Sequence, residues 1–266
     1  MGDHPPNIQL LQASVDPEDE SEFRVLVNNK FVKYISIDAG LYGSDEMFFG
    51  PALISLLPPI PPGDWNKGRI SRHPTTGDPY FAAVSRAYLP GITKTWHPTR
   101  VDYLELRMQR KLRSNVYEAT CPRFSSVVIA KFARISWEVP QLEAETEAYE
   151  WIEGHQVGPR FLGHLTEEGG VIGFIMARVP DCLHATVDDF RLCSLALSKL
   201  HELGIKHGDI NKHNFLIHDG KATLLDFDNA SRAASADELE DELQELRDKL
   251  QDTSGRGGRI VESGPS

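Results

Sequence analysis

Cysteine is scarce in this chain: Cys121, Cys182 and Cys193 are the only three among 266 residues. They are odd in number and lack metal-ligand spacing, which argues against a disulfide framework and fits reduced thiols, buried and structural, in a cytosolic protein. Long apolar runs are missing as well, since no stretch approaches the ~20 apolar residues needed to span a bilayer. The N-terminal Met1-Gly2-Asp3-His4-Pro5-Pro6 has no basic region followed by an apolar run. Pro6 also stands where a myristoylation pattern needs Ser or Thr. The expectation is a cytoplasmic location without membrane association. Positive charge is in short supply too. The formal net charge of -11 argues against nucleic acid as a partner, because such binding displaces counterions with clustered Lys and Arg.

What is present suits a folded protein. A chain that is 40% apolar and 25% charged can build a sizeable core, and one globular unit with two lobes is expected. Residues 1–22, ending in the acidic Asp16-Pro17-Glu18-Asp19-Glu20, are polar and unpatterned, and read as a flexible arm or an edge segment. Residues 23–100 read as a β-rich extension. Phe23, Val25 and Val27 alternate with polar residues, as do residues 31–37, and Asn28-Asn29 between them predicts a hairpin turn. The prolines of Leu57 to Asp64 exclude helix interior and central strand. Residues 64 to 100, rich in Gly, Pro, Thr and Trp, are expected as an elaborated loop.

Periodicity becomes clearer further along. Residues 102–120 regain strand character, and Val127 to Ala133 is a compact β-branched strand carrying one lysine, Lys131. Pro140 suits the first turn of a helix reaching Gly154. Leu142, Tyr149 and Ile152 form its apolar stripe, and Glu145 lies on that stripe, where a carboxylate needs a partner. Leu165 to Ala177 predicts a hairpin turning at Thr166 to Gly170. Thr186 or Asp188 can cap a core helix ending at Gly204, and Asp219-Gly220 joins two short strands. A last helix over Ala236 to Asp252 carries a narrow seam of Leu239, Leu243, Leu246 and Leu250. That seam serves either core packing or a protein partner. Residues 253–266, rich in Gly and Ser, are expected to be disordered.

The segment His207-Gly208-Asp209-Ile210-Asn211-Lys212-His213-Asn214, followed by Leu224-Leu225-Asp226-Phe227-Asp228, resembles the catalytic and metal-binding loops of the protein-kinase-like superfamily. In that pattern an Asp accepts the proton of the attacking hydroxyl, an Asn five residues later holds magnesium, and another Asp ends the next hairpin. The resemblance implies an α+β, two-lobed protein-kinase-like fold. Residues 101–179 would form the β-rich N-lobe and 180–252 a reduced helical C-lobe. It implies ATP and Mg2+ as cofactors, Asp209 as catalytic base, and Asn214 and Asp226 as metal ligands. Lys131 would contact the α and β phosphates and Glu145 would hold it, with Glu143 as the other candidate. Lys212 either approaches the γ-phosphate or faces solvent. The link Met176 to Val179 would meet the adenine.

Departures from the pattern narrow the class. Gly208 replaces the arginine of protein kinases, and Asp228 replaces the glycine after Phe227. The His-Gly-Asp form is similar to aminoglycoside-phosphotransferase-like and atypical small kinases and to fungal kinase-like proteins. Leu112 to Tyr117, the nearest substitute for a glycine-rich loop, contains no glycine. His207 is expected to be structural, and His213, His218 and Asp219 lack the geometry of a metal site. The expected function is phosphoryl transfer to a small-molecule hydroxyl or amine. The alternatives are a pseudokinase acting as an interaction module and a kinase fold doing aminoacyl or adenylyl transfer.

Overall fold

Alternation around Asn28 and Asn29 produces the expected hairpin. Both residues adopt left-handed φ values of 55° and 54°, conformations that asparagine tolerates and a tight hairpin turn demands. The computed structural model describes residues 6–88 and 90–252, so the expectation for the tail, 253–266, lies outside the described residues. The chain divides into two units, Met1–Pro90 with Glu167–Gly170, and Gly91–Thr166 with Val171–Ser266.

The first unit is built on a five-stranded sheet: β1 (Ile8–Ser14), β2 (Ser21–Val27), β3 (Phe31–Ile37), β4 (Lys67–Arg72) and β5 (Pro79–Ser85), in that spatial order. Two short helices, α1 (Ser44–Phe48) and α2 (Gly50–Leu56), lie between β3 and β4 in the chain. Phe23, Val25, Ile35, Ile37, Leu53 and Ile70 are buried together. Much of the loop expected over 64 to 100 is therefore strand. Only Gly68 and Ile70 of β4 are buried, too weak an alternation to read. The strand is fixed by non-local parallel pairing with β3, Ile37 opposite Ile70. Within this unit buried Arg24 pairs with Glu167, its Nε 2.9 Å from Oε1.

The second unit is α+β, with a β-rich N-lobe and a smaller helical C-lobe, a kinase-like two-lobed arrangement. Its main sheet contains β6 (Arg100–Asp102), β7 (Arg107–Arg113), β8 (Val116–Thr120), β9 (Val128–Phe132), β10 (Phe161–Glu167) and β11 (Gly170–Ala177), in the order β6-β10-β11-β9-β8-β7. Helix α3 (Val139–Ile152) buries Leu142, Glu145, Tyr149 and Ile152, the expected stripe. The C-lobe begins with β12 (Leu183–His184) and α4 (Phe190–His201). It continues through β13 (Ile205–Lys206), the hairpin β14 (Phe215–His218) and β15 (Lys221–Leu224), and β16 (Ser231–Arg232), and ends with α5 (Ala236–Gln251). Leu197 and Leu200 of α4 share one core with Leu246 and Leu250 of α5, so the leucine seam is used in packing. All three cysteines are free thiols, and burial pushes Cys193 up to about 12. No helix among the described residues is long and apolar enough to cross a membrane.

A buried histidine should make the N-lobe acid-sensitive. His164 of β10 is fully buried, and its Nε2 accepts from His97 N at 3.1 Å, so the proton sits on Nδ1, which has no acceptor. Burial, with Arg100 and His97 adding, lowers its pKa from 6.5 to about 4. The unfolded chain therefore binds this proton more readily than the native state does. Its stabilisation is complete above pH 6.5 and is lost as pH falls towards 4, by on the order of 2–3 kcal/mol. Thermal melts across that window should show a falling midpoint, with a shallower fall in His164→Gln, which keeps an acceptor for His97.

Candidate active site

The loop from His207 to Asn214 follows β13, and its first residues explain the departure at Gly208. Gly208 has φ +81°, and a Cβ there would lie 2.3 Å from the carbonyl oxygen of Asn229. No side chain fits, so the arginine found here in protein kinases is excluded by the backbone itself. His207 is buried beneath the loop. Its Nε2 lies 2.9 Å from the carbonyl oxygen of Leu225, and its Nδ1 accepts from Asp209 N at 3.3 Å. Burial lowers its pKa. A neutral ring with both nitrogens occupied supports the loop and has no means of serving as base.

Asp209 and Asn214 are locked together. Asn214 Nδ2 donates to the carbonyl oxygen of Asp209 at 2.9 Å and to its Oδ2 at 3.1 Å. These acceptors fix the orientation of the amide, because a flip would set its oxygen against a carboxylate. Asn214 is 1% exposed, and its Oδ1 is buried with no hydrogen-bond donor. An acceptor in that condition costs about 1–3 kcal/mol unless something else engages it. Asn211 supports the loop, with Oδ1 accepting from His213 N at 2.9 Å.

Across from this loop an ion cluster forms on Asp226, which follows β15 in a left-handed conformation, φ 65°. Lys131 of β9 pairs with Asp226 and, at 2.5 Å, with Glu145 Oε2 of α3. Arg113, the last residue of β7, donates from Nη1 to Asp226 Oδ2 at 3.1 Å and from Nη2 to the carbonyl oxygen of His213 at 3.2 Å. Burial alone would lower the lysine pKa, but the carboxylates of Glu145 and Asp226 hold it above its ordinary value, so Lys131 is a cation. Burial raises Asp226, and Lys131 and Arg113 more than reverse this, leaving it below the usual aspartate value. Glu145 is raised to about 7 by burial, against the pull of Lys131. Asp228 is also raised, by burial and then by the carboxylate of Asp226.

Of the sequence candidates, Lys131, Glu145 and Asp226 thus meet directly, and Asp209 and Asn214 meet each other. Lys212 joins neither group, as its Nζ donates to the carbonyl oxygen of Asp252 at 2.8 Å. Glu143 points elsewhere and accepts from Thr93 N at 3.1 Å. That contact belongs to a brace the sequence did not disclose. Lys94 pairs with Glu147 at 2.9 Å and Trp96 Nε1 donates to the carbonyl oxygen of Thr146 at 3.0 Å, so residues 93–96 fasten to α3.

Nothing in the sequence pattern singles out Glu242 of α5. It is 5% exposed and accepts from His207 N at 3.0 Å and Gly208 N at 2.7 Å, with His201 Nε2 at 2.8 Å. Burial raises its pKa, and the bonds from His201, Gly208 and His207 outweigh that and leave it below the usual range. A buried anion therefore anchors the start of the loop from His207 to Asn214.

Beside the ion cluster opens a cavity of about 430 Å³ with walls from Leu112, Val116, Ile129, Met176 and Leu216, closed on one side by Ala177 to Val179. A smaller polar recess of about 230 Å³ adjoins it, lined by Ser114, Gln141 and Asp228, and both share Arg113, Lys131, Glu145 and Asp226. An apolar slot ending in convergent charges has the size and character of a small-molecule site. Residues 188–256 match the Lipopolysaccharide kinase (Kdo/WaaP) family model. The match to this kinase-like family runs from the start of α4 through α5 and contains Asp209, Asn214, Asp226 and Glu242, while Lys131 and Glu145 lie outside it. No curated protein matches the chain.

Among the described residues no group of three or more His, Cys, Asp or Glu side chains is placed to hold a metal unaided. Magnesium does not require one, since it binds through one or two protein oxygens plus phosphates and water. Asn214 Oδ1, buried and without a donor, and the Asp226 carboxylate are donors of the kind it takes, and they fit it.

Proposed function

We propose that this protein is an ATP- and Mg2+-dependent phosphotransferase acting on a hydroxyl or amine of a small molecule. The observation that carries the reading is Asn214. Its amide nitrogen is spent on Asp209 and its oxygen is left buried and free of donors, a state explained by a hard cation shared with a nucleotide. The apolar cavity takes the adenine, and Lys131, oriented by Glu145, faces the phosphates as a permanent cation. Lys212 would need to leave the Asp252 carbonyl to join it.

Asp209 supplies the proton chemistry. Its carboxylate, positioned by Asn211 and Asn214, receives the proton of the acceptor hydroxyl as the new oxygen–phosphorus bond forms. The bond to the β–γ bridging oxygen breaks, and ADP leaves. Magnesium, when bound, neutralises charge on the phosphate oxygens. The matched family is named for lipopolysaccharide, so carbohydrate hydroxyls are the acceptor class to test first. A cytoplasmic setting and reduced thiols are part of the same reading.

Incubating the protein with γ-labelled ATP, Mg2+ and a small-molecule cell extract tests it. Label appearing in an extract component, and not with Asp209→Asn, supports the reading. A product carrying an adenylyl or aminoacyl mass contradicts it in favour of another group transfer, and absence of any nucleotide binding favours a pseudokinase.

A further inference from the structure

Resting on the reading of the cavity as a nucleotide site, the structure raises the question of what grips the phosphates. In kinase-like folds backbone N–H groups of a glycine-rich loop do so, between the first two strands. Here the β7–β8 connection is a two-residue turn, Ser114 and Asn115. Neither residue has positive φ, and Phe132 N donates to the carbonyl oxygen of Asn115 at 3.2 Å. The turn is tied down on β9 and offers no glycine-built cradle over the recess.

Arg113 stands at the base of that turn. It is partly buried and lines both the apolar cavity and the polar recess. Its guanidinium spans Asp226 of the metal-binding segment and the carbonyl oxygen of His213 in the catalytic loop. In the polar recess beside it Glu145, Asp226 and Asp228 supply three carboxylates. Without Arg113, Lys131 would be the one cation of the ion cluster left to offset them and to meet a polyphosphate. A guanidinium offers a planar, permanently charged fork suited to phosphate oxygens, which neutral amides replace poorly in such a setting.

We propose that Arg113 is the phosphate-binding element that stands in for the missing glycine-rich loop. Nucleotide draws it from the Asp226 carboxylate onto phosphate oxygens, which leaves Oδ2 of the aspartate open to a metal ion.

Calorimetric binding of adenosine, AMP, ADP and ATP, each with Mg2+, to the wild type, Arg113→Gln and Arg113→Lys tests this, with circular dichroism checking the fold of each variant. Arg113→Gln should bind adenosine as the wild type does and lose affinity as phosphates are added, by about 10- to 100-fold for ATP. Arg113→Lys, which keeps the charge and loses the fork, should fall between. An equal loss for adenosine and ATP, in either variant, would make Arg113 a wall of the cavity and overturn the proposal, as would undiminished ATP binding. If the wild type binds adenosine but gains nothing from added phosphates, the proposal fails while the cavity reading stands. If it binds neither adenosine nor ATP, the nucleotide reading fails and this inference falls with it.

Discussion

Asp209→Asn is expected to lower turnover by about 10²- to 10⁴-fold, the usual worth of a positioned general base, with little change in affinity for Mg·ATP. The two effects separate because of how the loop is held. Asp209 receives Asn214 Nδ2 both on its backbone oxygen, at 2.9 Å, and on Oδ2, at 3.1 Å. An asparagine at 209 retains the backbone acceptor and one side-chain oxygen, so the loop stays in place while the proton acceptor is lost. Steady-state kinetics beside calorimetric nucleotide binding measures both. Tight binding with unchanged turnover would remove Asp209 from the role of base.

Glu242→Leu should be the most damaging substitution away from the ion cluster. It removes the acceptor of two backbone N–H groups, at His207 and Gly208, and leaves His201 without its partner. Breaking such a buried charged network costs about 3–5 kcal/mol, a large share of the stability of an ordinary domain. Glu242→Gln keeps one oxygen and should cost only about 1–3 kcal/mol, yet it should still depress kcat, because one of the two N–H groups then faces an amide NH2. Chemical denaturation gives the first quantity and kinetics the second. A Glu242→Leu protein with wild-type stability would show that the anchor is dispensable.

The contrast between these residues shows what the sequence disclosed. Asp209, Asn214 and Asp226 were legible because the pattern is local, two loops bracketing one hairpin, and Asp219-Gly220 marks the turn of that hairpin. Lys131 was indicated by the resemblance, which places a lysine on the strand before the helix, and Glu145 by the same pattern together with its place on an apolar stripe, where an acid needs a partner. Glu242 obeys the same rule, since it stands four residues before Leu246 and eight before Leu250, the buried positions of α5. The surrounding acids hid it. Arg113 sits in a basic run whose members look alike until the fold selects one, and the brace from Thr93 to Trp96 depends on contacts with a helix some fifty residues away in the chain. The strands β4 and β5 are hidden in the sequence because their apolar positions are sparse and β4 is fixed by pairing with the remote β3.

One measurement reaches the centre of the account: titration of ATP into the wild type and Asp226→Asn, each with and without Mg2+. The arrangement of Asn214 Oδ1, Asp226 and Lys131 predicts that Mg2+ tightens ATP binding to the wild type and that Asp226→Asn loses this dependence. Wild-type protein that binds ATP equally with and without Mg2+, or not at all, would contradict it.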